Sequence, residues 1–353
     1  MAIKTSGSLA ISEIAAEFDA PQNTPLSGFY RGGAYVPDAP INANVPTSGA
    51  IKFADFYGAS KAYVWTVSGT NEYYNLYNDF VNRFGTPSVG VVVNVTLASG
   101  SVFGSRNTTA AFTVGQFPSG SVITIDNYGS IQGKGGSPNG GSGGDALNGA
   151  FGSQTVVFNN YGSVYAGGGA GGKGGTGGTG GNGYYQSTTY YGQGFCRSGA
   201  NLGCSDKYPG SSCQSTQQAC TYFDPFAQPG FQCDNCGIVN TYYTSGGAGG
   251  GGGNGGQGQG YGQGRTNGSG GAAGSAGGQN AGRGGTGGTG GNGGGWGAGG
   301  GTGNTGGTGA NGNNGGGQSG SGGTGGGGAG RYLVKGSANF TFNNSGQVAG
   351  GTA

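Results

Sequence analysis

The chain is 353 residues long and carries 96 glycines, six cysteines and no histidine; 7% of it is charged and the formal net charge is +2. So little charge excludes the electrostatic footprint of a nucleic-acid or anionic-membrane binder, and without histidine the commonest general base and every His-dependent triad are missing. No apolar run has the length of a membrane span, and the longest, Val89-Gly90-Val91-Val92-Val93, is strand-sized.

Residues 1–60 open with a duplicated motif: Thr5-Ser6-Gly7-Ser8-Leu9-Ala10-Ile11-Ser12-Glu13-Ile14 recurs as Thr47-Ser48-Gly49-Ala50-Ile51-Lys52-Phe53-Ala54-Asp55-Phe56. Between the copies, Phe29-Tyr30-Arg31-Gly32-Gly33-Ala34-Tyr35-Val36-Pro37 is too polar and turn-rich for a long helix. Sixty residues with few large apolar groups are expected to lack a core of their own. The segment therefore reads as a docking module that orders against a partner, with Leu9, Ile11, Ile14, Phe29, Tyr30, Arg31, Ile51, Phe53 and Phe56 as its contacts. The start, Met1-Ala2-Ile3-Lys4-Thr5, lacks the apolar stretch of a secretory signal.

Residues 61–165 are expected to form a β domain. Tyr63-Val64-Trp65-Thr66-Val67, Val89 to Leu97 and Ser101-Val102-Phe103 are strand-like, and Tyr73 to Phe84 predicts a short helix. Three segments share one pattern: Ile123-Thr124-Ile125-Asp126-Asn127-Tyr128-Gly129-Ser130-Ile131, Val156-Val157-Phe158-Asn159-Asn160-Tyr161-Gly162-Ser163-Val164 and Phe340-Thr341-Phe342-Asn343-Asn344-Ser345-Gly346-Gln347-Val348. Each is apolar alternation followed by an Asn-x-Gly turn, for which residues tolerant of positive φ are suited, and together they make an internal repeat.

Residues 166–330 are dominated by Gly-Gly-x, as in Gly284-Gly285-Thr286-Gly287-Gly288-Thr289-Gly290-Gly291-Asn292-Gly293 and in 171–182. A period of three is that of the extended left-handed helix, which rises about 3.1 Å per residue. Collagen would need abundant proline, which is absent from Gly246 to Gly330. A flexible linker is the competing reading. Ordering 85 residues costs on the order of 100 kcal/mol, and a lone glycine helix has no internal hydrogen bonds to offset it. Order therefore requires several glycine helices packed as a bundle, in which a 13-residue run would span about 40 Å. The repeated β motif before the glycine and again in 331–353 favours a bundle tethered at both ends to a β scaffold.

The glycine is interrupted at 184–245. Cys196, Cys204, Cys213, Cys220, Cys233 and Cys236 all fall there. An even, clustered set reads as disulfides with fifteen possible pairings, hence an oxidising destination; zinc is disfavoured because only Cys233-Asp234-Asn235-Cys236 has ligand spacing. No metal and no cofactor is expected. With no secretory signal, such a chain would be made in a reducing cytoplasm and act outside it. Tyr184, Tyr185, Tyr190, Tyr191, Tyr208, Tyr242 and Tyr243 offer rigid, amphipathic contact area and, with Trp296, are the candidate recognition residues; Trp296, alone amid glycine, reads equally as a cap of the bundle. The aromatics Phe223, Phe226 and Phe231 read instead as a small core beneath the disulfides.

Catalytic residues are not expected. The three glutamates, Glu13, Glu17 and Glu72, precede the glycine region, and the late carboxylates Asp206, Asp224 and Asp234 read as polar loop residues rather than a glycosidase pair. The run from Gly167 to Lys173 imitates a phosphate loop but is followed by Gly174 where Ser or Thr is needed.

The Thr-Ser-Gly repeats, with Tyr30 to Pro37 and the ending Phe56-Tyr57-Gly58-Ala59, resemble the N-terminal segment of tailed-bacteriophage tail proteins. The Asn-x-Gly turns feeding into glycine resemble glycine-rich tail-fibre proteins, in particular the distal adhesins of T-even-like phages. The resemblance spans the first 60 residues and, by pattern, the region from Ser121 onward; the cysteine-rich insertion departs from the short distal adhesins. It implies a sandwich of polyglycine helices whose connecting loops bind a bacterial surface receptor, protein or glycan. Partners would be other tail proteins through residues 1–60, with no nucleic acid, no membrane insertion and a homo-oligomer, a trimer being favoured. A purely structural tail spacer is the alternative, and an ice-binding or cell-wall glycine-rich protein the more distant one.

Overall fold

The computed structural model describes residues 3–149, 152–190, 194–196, 204–205, 218–223, 231–336 and 339–353, with residues 194–239 described as backbone only. The chain is mainly β. Its centre is a parallel coil in which every turn lays down three strands. The first turn supplies β1 (Ala62–Val67), β2 (Thr70–Glu72) and β3 (Tyr74–Asn75), followed by the helix over Leu76–Phe84. The second supplies β4 (Val92–Leu97), β5 (Val102–Gly104) and β6 (Phe112–Thr113); the third, β7 (Val122–Asn127), β8 (Ser130–Gln132) and β9 (Leu147–Asn148). The fourth begins with β10 (Thr155–Asn160) and β11 (Ser163–Tyr165). It is then interrupted by the entire glycine-rich region, including β12 (Gly183–Tyr190), β13 (Gly194–Cys196), β14 (Cys204–Ser205), β15 (Gln218–Phe223) and β16 (Phe231–Thr244). The turn resumes at β17 (Arg331–Val334), and β18 (Phe340–Asn344), β19 (Gln347–Ala349) and β20 (Gly351–Thr352) form the fifth. Three five-stranded parallel sheets result, with orders β1-β4-β7-β10-β18, β2-β5-β8-β11-β19 and β3-β6-β9-β17-β20.

The three repeated segments are successive rungs of this coil. In-register pairing aligns Val93, Ile123, Val156 and Phe340 in one column and Val95, Ile125, Phe158 and Phe342 in the next. Val93, Ile123, Ile125, Val156 and Phe158 are fully buried, and burying each contributes about 1.5–3 kcal/mol. The third column changes chemistry, from Leu97 to Asn127, Asn160 and Asn344. The asparagines form a ladder: Asn127 donates to Asn160 (2.8 Å) and Asn160 to Asn344 (2.7 Å). The Oδ1 of Asn127 also accepts from the Gly129 N–H at 3.1 Å, which fixes the turn. The glycine of the Asn-x-Gly pattern has a different cause from the positive φ expected. Gly129, Gly162 and Gly346 lie outside the left-handed region, but a methyl on Gly162 would stand 2.1 Å from the Gly129 carbonyl oxygen and one on Gly346 2.2 Å from that of Gly162. The preceding rung leaves no room for a side chain.

The helix over Leu76–Phe84 closes one side of the first turns. Asn75 caps it by accepting from Asn78 N–H, and Leu76 and Phe80 enter the core. Asp79 gathers three donors at one oxygen: Tyr74 Oη (2.6 Å), Arg83 Nε (2.9 Å) and Trp65 Nε1 (3.0 Å). Burial, and then donation to this carboxylate, push the Tyr74 phenol well above its usual range.

Residues 3–60 contradict the expectation of a coreless segment. Ile14, Phe18, Phe29, Val36, Val45 and Phe56 are buried together, and the rings of Phe18, Phe29 and Phe56 meet at 6.1–6.4 Å. Aromatic side chains bury so much area each that three of them anchor a core which counting apolar residues underestimates. The duplicated motif adopts the same local device twice. Gly7 and Gly49 both have positive φ. Glu13 accepts from Ala10 N–H and Asp55 from Lys52 N–H, each at 2.7 Å, which starts the helix over Ile11–Glu17 and the short turn over Phe53–Phe56. Tyr57 donates to the Gly7 carbonyl and Tyr30 to that of Gly49.

Between β11 and β17, six extended strings run to and fro: 166–182, 246–260, 264–277, 281–295, 298–312 and 315–330. Neighbours are joined by backbone hydrogen bonds at every third residue. Gly171, Gly174 and Gly177 donate to Gly256, Gly253 and Gly250, each at 2.8 Å, so strings one and two are antiparallel. Gly172, Gly175 and Gly178 donate to Gly301, Asn304 and Gly307, so strings one and five are parallel. The pattern places strings two, one and six in one layer and three, four and five in another. String one touches strings two, four, five and six, while string three touches only two and four.

Candidate functional site

Fourteen residue steps from Gly167 to Gly181 carry string one roughly 45 Å at the rise of an extended three-fold chain. One end of the strings is seated on the coil. There the turn between strings two and three places Tyr261 against Gly104, where a methyl would stand 2.3 Å from the ring, and Arg106 lies over that ring at 5.1 Å. Arg106 is also held by Glu72 at 2.8 Å, which raises its pKa further. The turn between strings four and five places Trp296 on Tyr165, with ring centres 5.6 Å apart. Trp296, a candidate for recognition by sequence, therefore belongs to the seat and stands at the opposite end from the paired tyrosines: a single aromatic amid glycine is bound where it finds another ring to cover it.

The far end gathers three connections: the ribbon of β12 and β16, the turn near 278–281 and the turn near 312–315. The ribbon's register sets Tyr184 opposite Tyr243 and Tyr185 opposite Tyr242. Since side chains alternate across a strand, the two pairs lie on opposite faces. Tyr185 and Tyr242 stack at 5.2 Å, and Tyr184 meets Tyr243 at 6.4 Å. Tyr243 is 75% exposed and Tyr242 45%; Tyr184 and Tyr185 are half-buried.

What holds this ribbon is a set of asparagines that sequence reading passed over. Asn313 grips the Tyr184 backbone as a neighbouring strand would, its Oδ1 accepting from the N–H at 2.8 Å and its Nδ2 donating to the carbonyl at 2.9 Å. Asn280, in the left-handed region at φ 60°, donates to the same carbonyl at 3.1 Å. Asn182 accepts from Gly246 N–H at 3.3 Å, and Thr244 donates to the Gln279 carbonyl at 2.7 Å. The available signal was position: each of these asparagines stands where a Gly-Gly-x string ends.

Tyr191, Tyr208 and Cys213 lie outside the described residues, as do the side chains of Tyr190, Cys196, Cys204, Cys220, Cys233 and Cys236. The backbone register sets Cys196 opposite Cys204 and Cys220 opposite Cys236. Among the described residues no group of His, Cys, Asp or Glu side chains is arranged to hold a metal, and no helix is long and apolar enough to cross a membrane.

The expected docking residues divide. Ile14, Phe29 and Phe56 are fully buried in the N-terminal core and cannot touch a partner, a correction that follows from that core's existence. Leu9, Ile11, Tyr30, Arg31 and Ile51 are half-buried and Phe53 is 42% exposed. Arg31 faces Asp38 at 3.6 Å.

The chain is similar to known proteins in two comparisons. The family model of the phage tail fibre adhesin Gp38 matches residues 62–250, more than half of the chain. A solved structure, the crystal structure of the gp37–gp38 adhesin tip complex of the bacteriophage S16 long tail fibre, is 19% identical and aligns over 99% of this chain and 100% of its own, with a TM-score of 0.35. No curated protein matches.

Proposed function

This chain belongs to the phage tail fibre adhesin family, and we propose that the tyrosine ribbon at the far end of its glycine strings contacts the receptor on the host surface. A tail fibre adhesin is a component of the virion tail and serves host attachment. The observation that carries the proposal is the tip itself: two tyrosine pairs, each with one exposed ring, Tyr242 or Tyr243, on a ribbon whose root is gripped by Asn280 and Asn313. Tyrosine gives contact area at low entropic cost, and a preorganised root lowers the cost of binding further.

In this reading the strings are polyglycine-II helices packed as a bundle, a stiff and nearly uncharged mount. Support comes from the three-residue interval of their hydrogen bonds, which equals the repeat of that helix. The cysteines act as disulfide staples beyond the ribbon, a role that the facing of Cys196 with Cys204 and of Cys220 with Cys236 supports. Residues 1–60 attach the chain to other tail proteins through the surface around Leu9, Ile11, Ile51 and Phe53, and the chain self-associates in the assembled tail.

Replacing Tyr184, Tyr185, Tyr242 and Tyr243 together by serine tests the tip. Adsorption to host cells is expected to fall by about two orders of magnitude, as losing a cluster of aromatic anchors implies, while particles assemble normally. Unchanged adsorption would move receptor binding to another chain and leave this one a spacer.

A further inference from the structure

The first and second sheets of the coil meet along an edge that the tip does not use. An open groove of about 560 Å³ runs across the rungs there, lined chiefly by Tyr128, Tyr161, Tyr165, Ser130, Ser163 and Gln347, with glycine backbone between them. That volume lies within the range of small-ligand sites. Tyr128 and Tyr161 stack at 4.9 Å with rings 15° from parallel, yet they remain 47% and 48% exposed.

The reason for that exposure is the stepping of the rung. The register that aligns Leu97, Asn127, Asn160 and Asn344 puts Ala98, Tyr128, Tyr161 and Ser345 after them. Small residues at both ends leave the outer face of each ring uncovered. A pair of tyrosines serving only to staple adjacent turns would need one shared face; here two further faces open onto the groove. Beside them runs a row of neutral polar groups. Ser163 donates to Ser130 at 2.8 Å, Gln132 donates to Ser130 at 2.9 Å, and the Tyr165 hydroxyl meets Gln347.

The lining contains no Lys, Arg, Asp or Glu. A nucleic acid would stack on tyrosine but requires cations along its backbone, and acidic sugars would require them too. An apolar peptide would leave the serine and glutamine groups unpaired. A pyranose ring offers what remains, a C–H face for an aromatic platform and uncharged hydroxyls for the polar row. We propose that this groove is a second binding site, for an uncharged bacterial glycan chain lying across the rungs. It binds without cleaving, because hydrolysis needs a pair of carboxylates and the lining has none. The site lies at the seat of the strings, roughly 45 Å from the tip at the rise of an extended three-fold chain, so a surface polysaccharide held here would retain the particle while the tip finds its own receptor.

The test uses the full chain on an array of uncharged bacterial O-polysaccharides, with sialylated and phosphorylated glycans alongside. Retention of at least one uncharged glycan is expected. The double variant Tyr128→Ala/Tyr161→Ala should lose it by roughly tenfold or more, equivalent to about 1.4 kcal/mol, while Tyr128→Phe/Tyr161→Phe, which keeps both platforms, and the tip variant Tyr243→Ala should retain it. Should the alanine variant fail to fold, Ser345→Trp, which covers the free face of Tyr161 from outside the core, must abolish binding instead. No retained uncharged glycan, a preference for acidic glycans, or equal retention by the alanine and tryptophan variants would overturn the proposal.

Discussion

The coil and the strings are two answers to one problem, how to order an extended chain that has no hydrogen bonds within itself. In the coil, side chains supply the stability: Val95, Ile125, Phe158 and Phe342 stack along one inward column, and hydrophobic burial is the main term. In the strings, side chains are excluded wherever the backbone of another string lies alongside. A methyl on Gly177 would lie 2.0 Å from the Gly285 carbonyl oxygen, and one on Gly178 would lie 1.8 Å from that of Gln318. Backbone bonded to backbone supplies the order there. The difference teaches that the glycines a string needs, rather than those it carries, follow its neighbours: string six, bonded to strings one and five, has open space beside Gly322, Gly325 and Gly328. String one, with four partner strings, needs two glycines of every three; string three, with two partners, needs Gly268, Gly271 and Gly274 and tolerates Arg265, Ser269, Ala273 and Ser275 between them.

That rule can be broken deliberately. The largest effect is expected from Gly178→Ala, where the obstructing atom is backbone on an adjacent string: destabilisation above about 4 kcal/mol, in the class reserved for gross packing faults, read by denaturant unfolding. Phe158→Ala in the coil should cost about 3–5 kcal/mol, the usual loss for a buried aromatic. Asn160→Ala, which removes the middle of the asparagine ladder, should cost about 1–3 kcal/mol because Asn127 and Asn344 lose their partner. The sharpest contrast is the smallest effect. Gly270 has nothing within 4 Å of where a methyl would stand, so Gly270→Ala should lie between no change and about 1 kcal/mol of stabilisation, gained through the unfolded chain. A cost for Gly270→Ala comparable to that of Gly178→Ala would refute the neighbour rule.

The same logic explains what a reader of the sequence could and could not see. The repeat at Asn127, Asn160 and Asn344 was legible because stacking rungs demand the same residue at the same place. The long interruption between the second and third of these was legible as a three-residue period tethered at both ends, but not as an arrangement of strings. Nothing in Gly-Gly-x says which string lies beside which, since one glycine face fits another equally well, so the two-layer order needed coordinates. The N-terminal core escaped notice because Phe18, Phe29 and Phe56 are far apart in sequence and few in number. At the tip, the tyrosines announced themselves by chemistry, whereas Asn182, Asn280 and Asn313 did not, because an asparagine beside glycine ordinarily signals a turn. Trp296 reads from sequence as either a bundle cap or a tip contact, and the choice cannot be made without knowing that Tyr165 stands beneath it.

Amide hydrogen exchange on the full chain tests most directly whether the strings form a rigid mount. Gly171, Gly174 and Gly177 donate to string two, and Val156 and its neighbours donate within the coil. The account predicts that these glycine amides are protected to the same degree as those of the coil, since opening either requires breaking cooperative backbone pairing. Exchange of string one at the rate of an unstructured glycine chain, with the coil still protected, would contradict it.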